Sequence, residues 1–236
     1  MRRLVVGDIH GSLNALKQVL ERSGWTEDDL LIGIGDYVDG WSQSSQVVEF
    51  ISHLKNFVGV LGNHDVWYLN WLKTGKQPDI WTSQGGKATI NSYREHLDWI
   101  DSHREFLESL PYYLVIDNMA FIHGGCGNSK MLNHLDAVSS FDLTWDRDLY
   151  SNAFLAKHRK DSFSIKPFDK VFVGHTSTTT KGFGDEKYLP FTYRGFWNID
   201  QGGGWEGKLT IVDIDTKEYW QSDFVKDLHK SEVERR

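Results

Sequence analysis

Apolar positions in the first third of the chain switch between two periods. Leu4-Val5-Val6 is a short continuous run, and Leu13, Leu16, Val19 and Leu20 then recur at helical spacing. A second run, Leu30-Leu31-Ile32, precedes Val47, Val48, Phe50 and Ile51, and a third begins at Phe57. Continuous runs of this length read as strands buried on both faces, and the spaced positions as one face of a helix. The pattern predicts strands over 4–7, 28–35 and 57–61, with helices from Ser12 to Ser23 and over 42–54. Ser12 is a candidate cap and Gly24 a stop signal. This βαβαβ order predicts a parallel sheet with helices packed on it, and such sheets bind ligands beyond the carboxyl ends of their strands.

Over 65–110 the chain turns helical and aromatic-rich, with Trp67, Tyr68, Trp71, Trp81, Tyr93 and Trp99, which predicts a helical insertion. Asp117-Asn118 joins two apolar runs as a hairpin, 112–117 with 119–123. Residues 124–166 read as loops and short helix, and 170–173 as a strand. Segments 188–193, 195–200, 208–213 and 217–221 read as antiparallel strands of a second sheet, with Gly202-Gly203-Gly204 at a corner. The expected organisation is one domain over 1–225 and a charged, frayed tail over 226–236.

The strands also share an ending. Val6-Gly7-Asp8-Ile9-His10, Ile34-Gly35-Asp36-Tyr37-Val38-Asp39, Leu61-Gly62-Asn63-His64-Asp65, Ile122-His123-Gly124 and Val173-Gly174-His175 each deliver an acid, amide or imidazole. One acid after a strand is usually a turn former. Five such strand ends specify a metal site, and mixed nitrogen and oxygen donors suit Mn, Fe or Zn better than Mg or Ca. Asp8 and His10 are assigned to one ion, Asn63, His123 and His175 to a second, and Asp36 to both. Two divalent ions about 3.5–4 Å apart assist in-line phosphoryl displacement by a water activated between them. His64, beside Asn63, is placed to protonate the leaving oxygen, with Asp39 the favoured carboxylate behind it and Asp65 the second choice.

Charge and composition narrow the partners. A net charge of −7 argues against a nucleic-acid duplex, which needs a basic face. No apolar run approaches the roughly 20 residues of a membrane span, and the start is too short in apolar residues for a signal peptide. The single cysteine, Cys126, excludes a disulfide framework within the chain, suits a cytoplasmic location, and reads as a small buried residue.

Gly7-Asp-Ile-His-Gly11, Gly35-Asp-Tyr-Val-Asp39, Gly62-Asn-His-Asp65, His123-Gly-Gly125 and Gly174-His-Thr176 resemble the signature series of the calcineurin-like metallophosphoesterases. They are most similar to the serine/threonine phosphoprotein phosphatase branch, with its bacterial and phage members. Trp81-x-x-Gln-Gly-Gly-x-x-Thr89, Ser92-Tyr93, Leu110-Pro111 and Asp200-Gln-Gly202 are further matches to the bacterial members. The resemblance implies an α/β fold, a four-layer αββα sandwich of two mixed sheets flanked by helices. It also implies two divalent metal ions, Mn first and Fe or Zn as alternatives, and His64 paired with Asp39. Arg147 matches a phosphate-binding arginine of the family, and Asn63 is expected at the substrate as well as at the metal. Two positions depart: Gly40 stands where the family has a second arginine, and Asp65 where it has glutamate. Lys87, Arg94 and Arg194 are candidates to replace the missing cation.

The expected activity is that of a phosphomonoesterase on phosphoserine or phosphothreonine in proteins and on small phosphoesters. The alternative is a dinucleoside polyphosphate hydrolase or nucleotidase, favoured by Gly40 and by Trp41, Trp67, Tyr68, Trp145 and Trp205 as a stacking border. A metal-binding adaptor without turnover is a third reading. His53, His96, His103, His134, His158 and His229 lie outside the motifs and are expected to be solvated.

Overall fold

The computed structural model describes residues 1–182 and 184–230. β1 (Arg3–Val6) leads to α1 (Leu13–Ser23), which opens where Ser12 Oγ accepts the Ala15 N–H at 3.3 Å and closes at Gly24 with φ 61°. β2 (Leu30–Gly33), α2 (Ser44–Ser52) and β3 (Phe57–Gly59) complete the βαβαβ unit, with β1, β2 and β3 parallel as expected. The insertion comprises α3 (Asn63–Thr74), the single turn α4 (Asp79–Trp81), α5 (Lys87–Ser92) and α6 (Ile100–Glu108). Between α4 and α5 the helix widens over Thr82–Gly86 and breaks at Gln84 and Gly85, where Gly85 has φ 106°.

β4 (Tyr113–Ile116) and β5 (Met119–Ile122) form the predicted hairpin, with Asp117 and Asn118 both at positive φ, the geometry a tight two-residue turn needs. The region after it is more helical than expected. α7 (Ser140–Trp145) is followed by α8 (Asp148–Arg159), which buries Leu149, Tyr150, Ala153 and Ala156 at helical spacing. β6 (Lys170–Val173), β7 (Phe191–Tyr193) and β8 (Phe196–Asn198) join β4 and β5 in the order β4-β5-β6-β8-β7, with β5, β6 and β8 parallel.

The last two strands do not extend this second sheet. β9 (Thr210–Asp213) pairs antiparallel with β1, and β10 (Tyr219–Gln221) with β9, giving a first sheet ordered β10-β9-β1-β2-β3. Alternation cannot tell which sheet a strand joins. The deciding feature is that β1 would otherwise be an open edge, and β9, buried along its whole length, covers it. The tail is also corrected in part. α9 (Val225–Leu228) buries Val225, and His229 stacks on Trp41 at 4.7 Å and meets Ser12 Oγ at 2.8 Å. Residues 231–236, the rest of the predicted tail, lie outside the described residues. His229 and His103 are therefore buried rather than solvated; His103 bridges Tyr93 OH and Glu49 at 2.8 Å each. Cys126 is buried as expected.

Alternating side chains of each strand face different layers. Val5, Ile32 and Val212 meet Phe121, Phe172 and Trp197 between the sheets, with Phe121 stacked on Phe172 at 5.3 Å. Leu4, Val6 and Leu31 face α1 and α2, while Ile122, Val171 and Val173 face α7 and α8. The result is the αββα sandwich, each large side chain in it contributing about 1.5–3 kcal/mol by burial. No helix among the described residues is long and apolar enough to cross a membrane.

Asp29, just before β2 and so at the sheet end opposite the loops that follow β1, β2 and β3, accepts the Arg2 backbone N–H at 2.8 Å and Arg2 Nη2 at 2.7 Å. Burial raises its pKa, but the Arg2 bonds outweigh burial and bring it down to about 2. A folded-state pKa below the unfolded value of about 4 gives stability that is present above pH 4 and lost as pH falls towards 2. Asp29→Asn is expected to cost about 2 kcal/mol at pH 7 and to flatten the acid limb of a urea-denaturation pH series. An unchanged limb would rule the ion pair out as its source.

Candidate active site

Six parallel strands, three from each sheet, end at one cleft. β1, β2 and β3 are followed by Asp8 and His10, Asp36 and Asp39, and Asn63 and His64; β5, β6 and β8 are followed by His123, His175 and Asp200. His10, Asp36, Asp39 and His175 have φ between 50° and 67°. Left-handed backbone costs a non-glycine residue about 1–3 kcal/mol, and such strain gathers at sites where function requires it. The surroundings enforce it. His10 N–H donates to Asp36 O at 2.8 Å, and the Asp65 carboxylate accepts the N–H groups of Gly62, Asp36 and Tyr37 at 2.8–2.9 Å. Close approach accounts for two glycines: a Cβ at Gly62 would lie 2.1 Å from Asp36 Oδ1, and one at Gly174 2.1 Å from Asp8 Oδ1.

Asp36 is the centre. Its Oδ2 lies 3.5 Å from His10 Nε2 and 3.2 Å from His123 Nε2, and its Oδ1 accepts the His64 N–H at 3.0 Å. His123 Nδ1 lies 2.9 Å from Ile34 O, so the ring donates there and keeps Nε2, 3.1 Å from Asn63 Oδ1, as the ligating nitrogen. Two triads, His10–Asp36–His64 and Asp36–His123–His175, each bring one donor atom per residue within 4.8 Å and could hold a metal ion, with Asp36 common to both. Asp8 stands outside both triads, although it was grouped with His10. Its Oδ2 accepts the His175 N–H at 3.0 Å, while Oδ1 is buried with no hydrogen-bond partner among the described residues, as is His175 Nε2. Orphaned buried acceptors of this kind cost about 1–3 kcal/mol each, and a cation would satisfy both. The donor set therefore fits two divalent ions.

Protonation follows the same charge balance. Burial would raise Asp36, but His123 and His64 outweigh it and hold the carboxyl well below the usual range. Burial would lower His123, yet Asp36 lifts it to about 10, so a cation taking Nε2 would displace its proton. Burial and Asp200 push Asp8 well up, and burial brings Asp200 to about 6. Burial, with His123 and Arg147, takes His175 down to about 2, so it stays a neutral imidazole suited to ligation.

His64 Nδ1 meets Asp39 Oδ2 at 2.8 Å. Asp39 is thus the carboxylate behind His64, and Asp65 is committed to backbone N–H groups instead. Burial lowers the His64 pKa, but Asp36 and then Asp39 overcome it and raise it.

The cleft has a volume of about 380 Å³ and is lined by His10, Asp36, Asn63, His64, His175 and Asp200 on its floor and by Arg147 on its wall. Arg147 Nη1 donates to Thr176 Oγ1 at 3.0 Å, which sets the guanidinium at the rim. Lys87, Arg94 and Arg194 do not line this cleft; Gln84 does, carried by the break in the insertion. Gly40 N–H donates to Gly85 O at 3.2 Å, and a Cβ on Gly85 would lie 2.3 Å from Gly40 N, so two glycines stand back to back where the family has its second arginine. Of the aromatic border, Trp145 and Trp205 line the cleft, Trp67 meets His64 and Trp145 edge-on at 5.0 Å, and Trp41 and Tyr68 are buried in the core. Phe141, 67% exposed, stacks on Trp145 at 6.0 Å and continues the platform outward. Asp200, Gln84, Ser177, Thr179 and Thr180 were not foreseen as site residues. Asp200 had the same strand-then-acid signal as the others, and Gln84 lay within a recognised motif; Ser177, Thr179 and Thr180 had none.

Because Asp36 belongs to both triads, Asp36→Asn is expected to weaken binding of both ions by about 10², read as metal per chain after dialysis against graded chelator. Two ions retained at wild-type affinity would remove Asp36 from the shared position.

Comparison with known proteins agrees with this geometry. The chain is 31% identical over 150 residues to serine/threonine-protein phosphatase 2 of Escherichia coli K12, covering 61% of this chain and 67% of that protein. It is 24% identical to the symmetrical bis(5'-nucleosyl)-tetraphosphatase of Pseudomonas fluorescens SBW25, over 92% of this chain and 93% of that one. Its fold is similar to that of a metallophosphoesterase from Sphaerobacter thermophilus, with a TM-score of 0.60, 19% identity, and coverage of 98% and 92%. Residues 1–196 match the model of the calcineurin-like phosphoesterases, and the chain belongs to that family.

Proposed function

We propose that this phosphoesterase is a dinuclear, Mn-dependent phosphomonoesterase acting in the cytoplasm on phosphoserine and phosphothreonine in proteins and on small aryl phosphates. The observation that carries the reading is the convergence, in one cleft, of Asp36 with His10 on one side and His123 and His175 on the other, the His64–Asp39 pair held apart as proton donor, and Arg147. Asp8, His10, Asp36, Asn63, His123 and His175 would hold the ions. When bound, two such ions supply a nucleophile at neutral pH and stabilise charge on the transferring phosphoryl group. Arg147 would bind two phosphate oxygens with its guanidinium fork, and Asn63 would orient the phosphate beside the centre. His64 donates the proton that the leaving oxygen needs, and its bond to Asp39 keeps Nδ1 occupied so that Nε2 carries the transferred proton. The complete donor set and the intact pair argue against an adaptor that has lost turnover.

A second substrate class is supported equally well. Phe141, Trp145 and Trp205 offer stacking surfaces at the mouth, and the back-to-back glycines remove a cation that a phosphomonoester dianion would use. Both features suit a dinucleoside polyphosphate, the compound named for the Pseudomonas relative.

Kinetics with Mn on a phosphoserine peptide, a mononucleotide and a dinucleoside tetraphosphate, run on one preparation, separate the two classes. The first reading requires a kcat/KM at least about tenfold higher for the peptide, which corresponds to about 1.4 kcal/mol of transition-state preference; the reverse order assigns the nucleotide. His64→Asn is expected to reduce turnover of an alkyl phosphate by about 10² while leaving metal content intact. Unchanged alkyl-phosphate turnover would take His64 out of the acid role.

A further inference from the structure

Two residues of the helical insertion reach the acid pair from behind without lining the cleft. Trp81 Nε1–H donates to Asp39 Oδ2 at 2.7 Å, the same oxygen that His64 Nδ1 meets at 2.8 Å. Thr89 Oγ1 donates to Asp39 Oδ1 at 2.7 Å and accepts the Asp39 N–H at 2.8 Å. Asp39 and Trp81 are fully buried. A carboxylate with a donor on each oxygen cannot rotate about its last bond without breaking one of them, and in a buried site neither loss is made good by water. The indole is itself fixed: a Cβ on Gly86 would lie 2.5 Å from its ring, and Trp71 packs against it at 5.6 Å. Gly85 O, between the two donors, holds the Gly40 N–H. Trp81, Gly85, Gly86 and Thr89 thus act on one target, the loop that carries Asp39.

We infer that Trp81 is a positioning residue for the His64 general acid: its N–H, with the Thr89 hydroxyl, fixes the plane of the Asp39 carboxylate and so aims the imidazole at the leaving oxygen. The inference rests on the acid assignment proposed above. In the step concerned an oxygen from water, its proton given up to solvent, bonds to phosphorus as the P–O bond to the leaving group breaks; that bond's electron pair stays on the leaving oxygen, and the proton passes to it from His64 Nε2, leaving a neutral imidazole still bonded through Nδ1 to Asp39. Misaiming the ring would slow that transfer only where the leaving oxygen is too basic to depart unprotonated. Substrate grip and metal holding use other residues and would be untouched.

The metal-replete enzyme tests this with Trp81→Phe, Thr89→Val and Thr89→Ser, each assayed on a phosphoserine peptide and on p-nitrophenyl phosphate, with the His64 imidazole followed by proton and nitrogen NMR in the diamagnetic Zn-loaded form. Trp81→Phe and Thr89→Val are expected to lower kcat on the peptide about tenfold and on the aryl ester by less than about twofold, with KM and metal content unchanged. Thr89→Ser, which keeps the hydroxyl, should restore the peptide rate. The His64 Nδ1–H resonance should move in Trp81→Phe, and adding Trp81→Phe to His64→Asn should cost nothing further, since the two act in series. Equal losses on both esters, or an unmoved His64 resonance, overturn the role of Trp81. If His64→Asn is selective for the alkyl ester and Trp81→Phe is not, Trp81 alone falls. If His64→Asn shows no such selectivity, the acid assignment falls and this inference with it.

Discussion

Three carboxylates, those of Asp8, Asp36 and Asp200, are buried together where the two sheets meet, and that placement is unstable without positive charge beside it. Taking ions from water into a protein interior costs several kcal/mol each unless opposite charge and hydrogen bonds answer them. Much of the chain provides that answer. His10, His64 and His123 surround Asp36, and backbone N–H groups hold Asp8, Asp36 and Asp65. Asp8 Oδ1 and His175 Nε2, two of the buried atoms without a hydrogen-bond partner among the described residues, are ones a cation would complete.

The fold meets this requirement by symmetry of construction rather than by one special loop. Each sheet contributes three parallel strands, and parallel strands necessarily deliver their carboxyl ends on one side. The sheets are then stitched at those ends by bonds that cross from one to the other, from His123 to Ile34 O and from the His175 N–H to Asp8. The aromatic layer between the sheets, Phe121, Phe172 and Trp197 on Val5, Ile32 and Val212, holds the spacing those bonds require. Stability of the core and geometry of the site are in this sense the same property.

What could be read from residues alone follows this division. Strands whose apolar runs end in an acid or imidazole were legible, because burial on both faces forces a continuous run and the site forces its ending. Membership of a sheet was not, because 208–213 has the same local pattern whichever strand it joins; only the open edge of β1 decides. Short helix is expected within 124–166, but the extent of α8 is not legible although Leu149, Tyr150, Ala153 and Ala156 carry helical spacing, since two alanines give a weak apolar signal. His103 and His229 were read as solvated because burial of a lone histidine depends on partners far away in sequence, Glu49 and Ser12. Asp200 had the right local signal, yet β8 was assigned to an antiparallel set, which hid that its end points to the same cleft as β5 and β6.

The Gly40–Gly85 contact bears on how the site discriminates. A side chain at 40 would have to occupy a loop already at positive φ, with Gly85 pressed against its backbone. Recovering the family's second arginine by substitution at 40 alone would therefore place a side chain on left-handed backbone and carry that strain. With that cation gone, Arg147 is the arginine that lines the cleft, and Gln84 presents a neutral amide on the side the insertion supplies. Less of the affinity can then come from gripping the transferring phosphate, and more must come from what is attached to it. On the proposed reading, selectivity would accordingly fall to Trp145 and Trp205, which line the cleft, and to Phe141 stacked on Trp145, rings with which a peptide chain and a nucleobase would make different contacts.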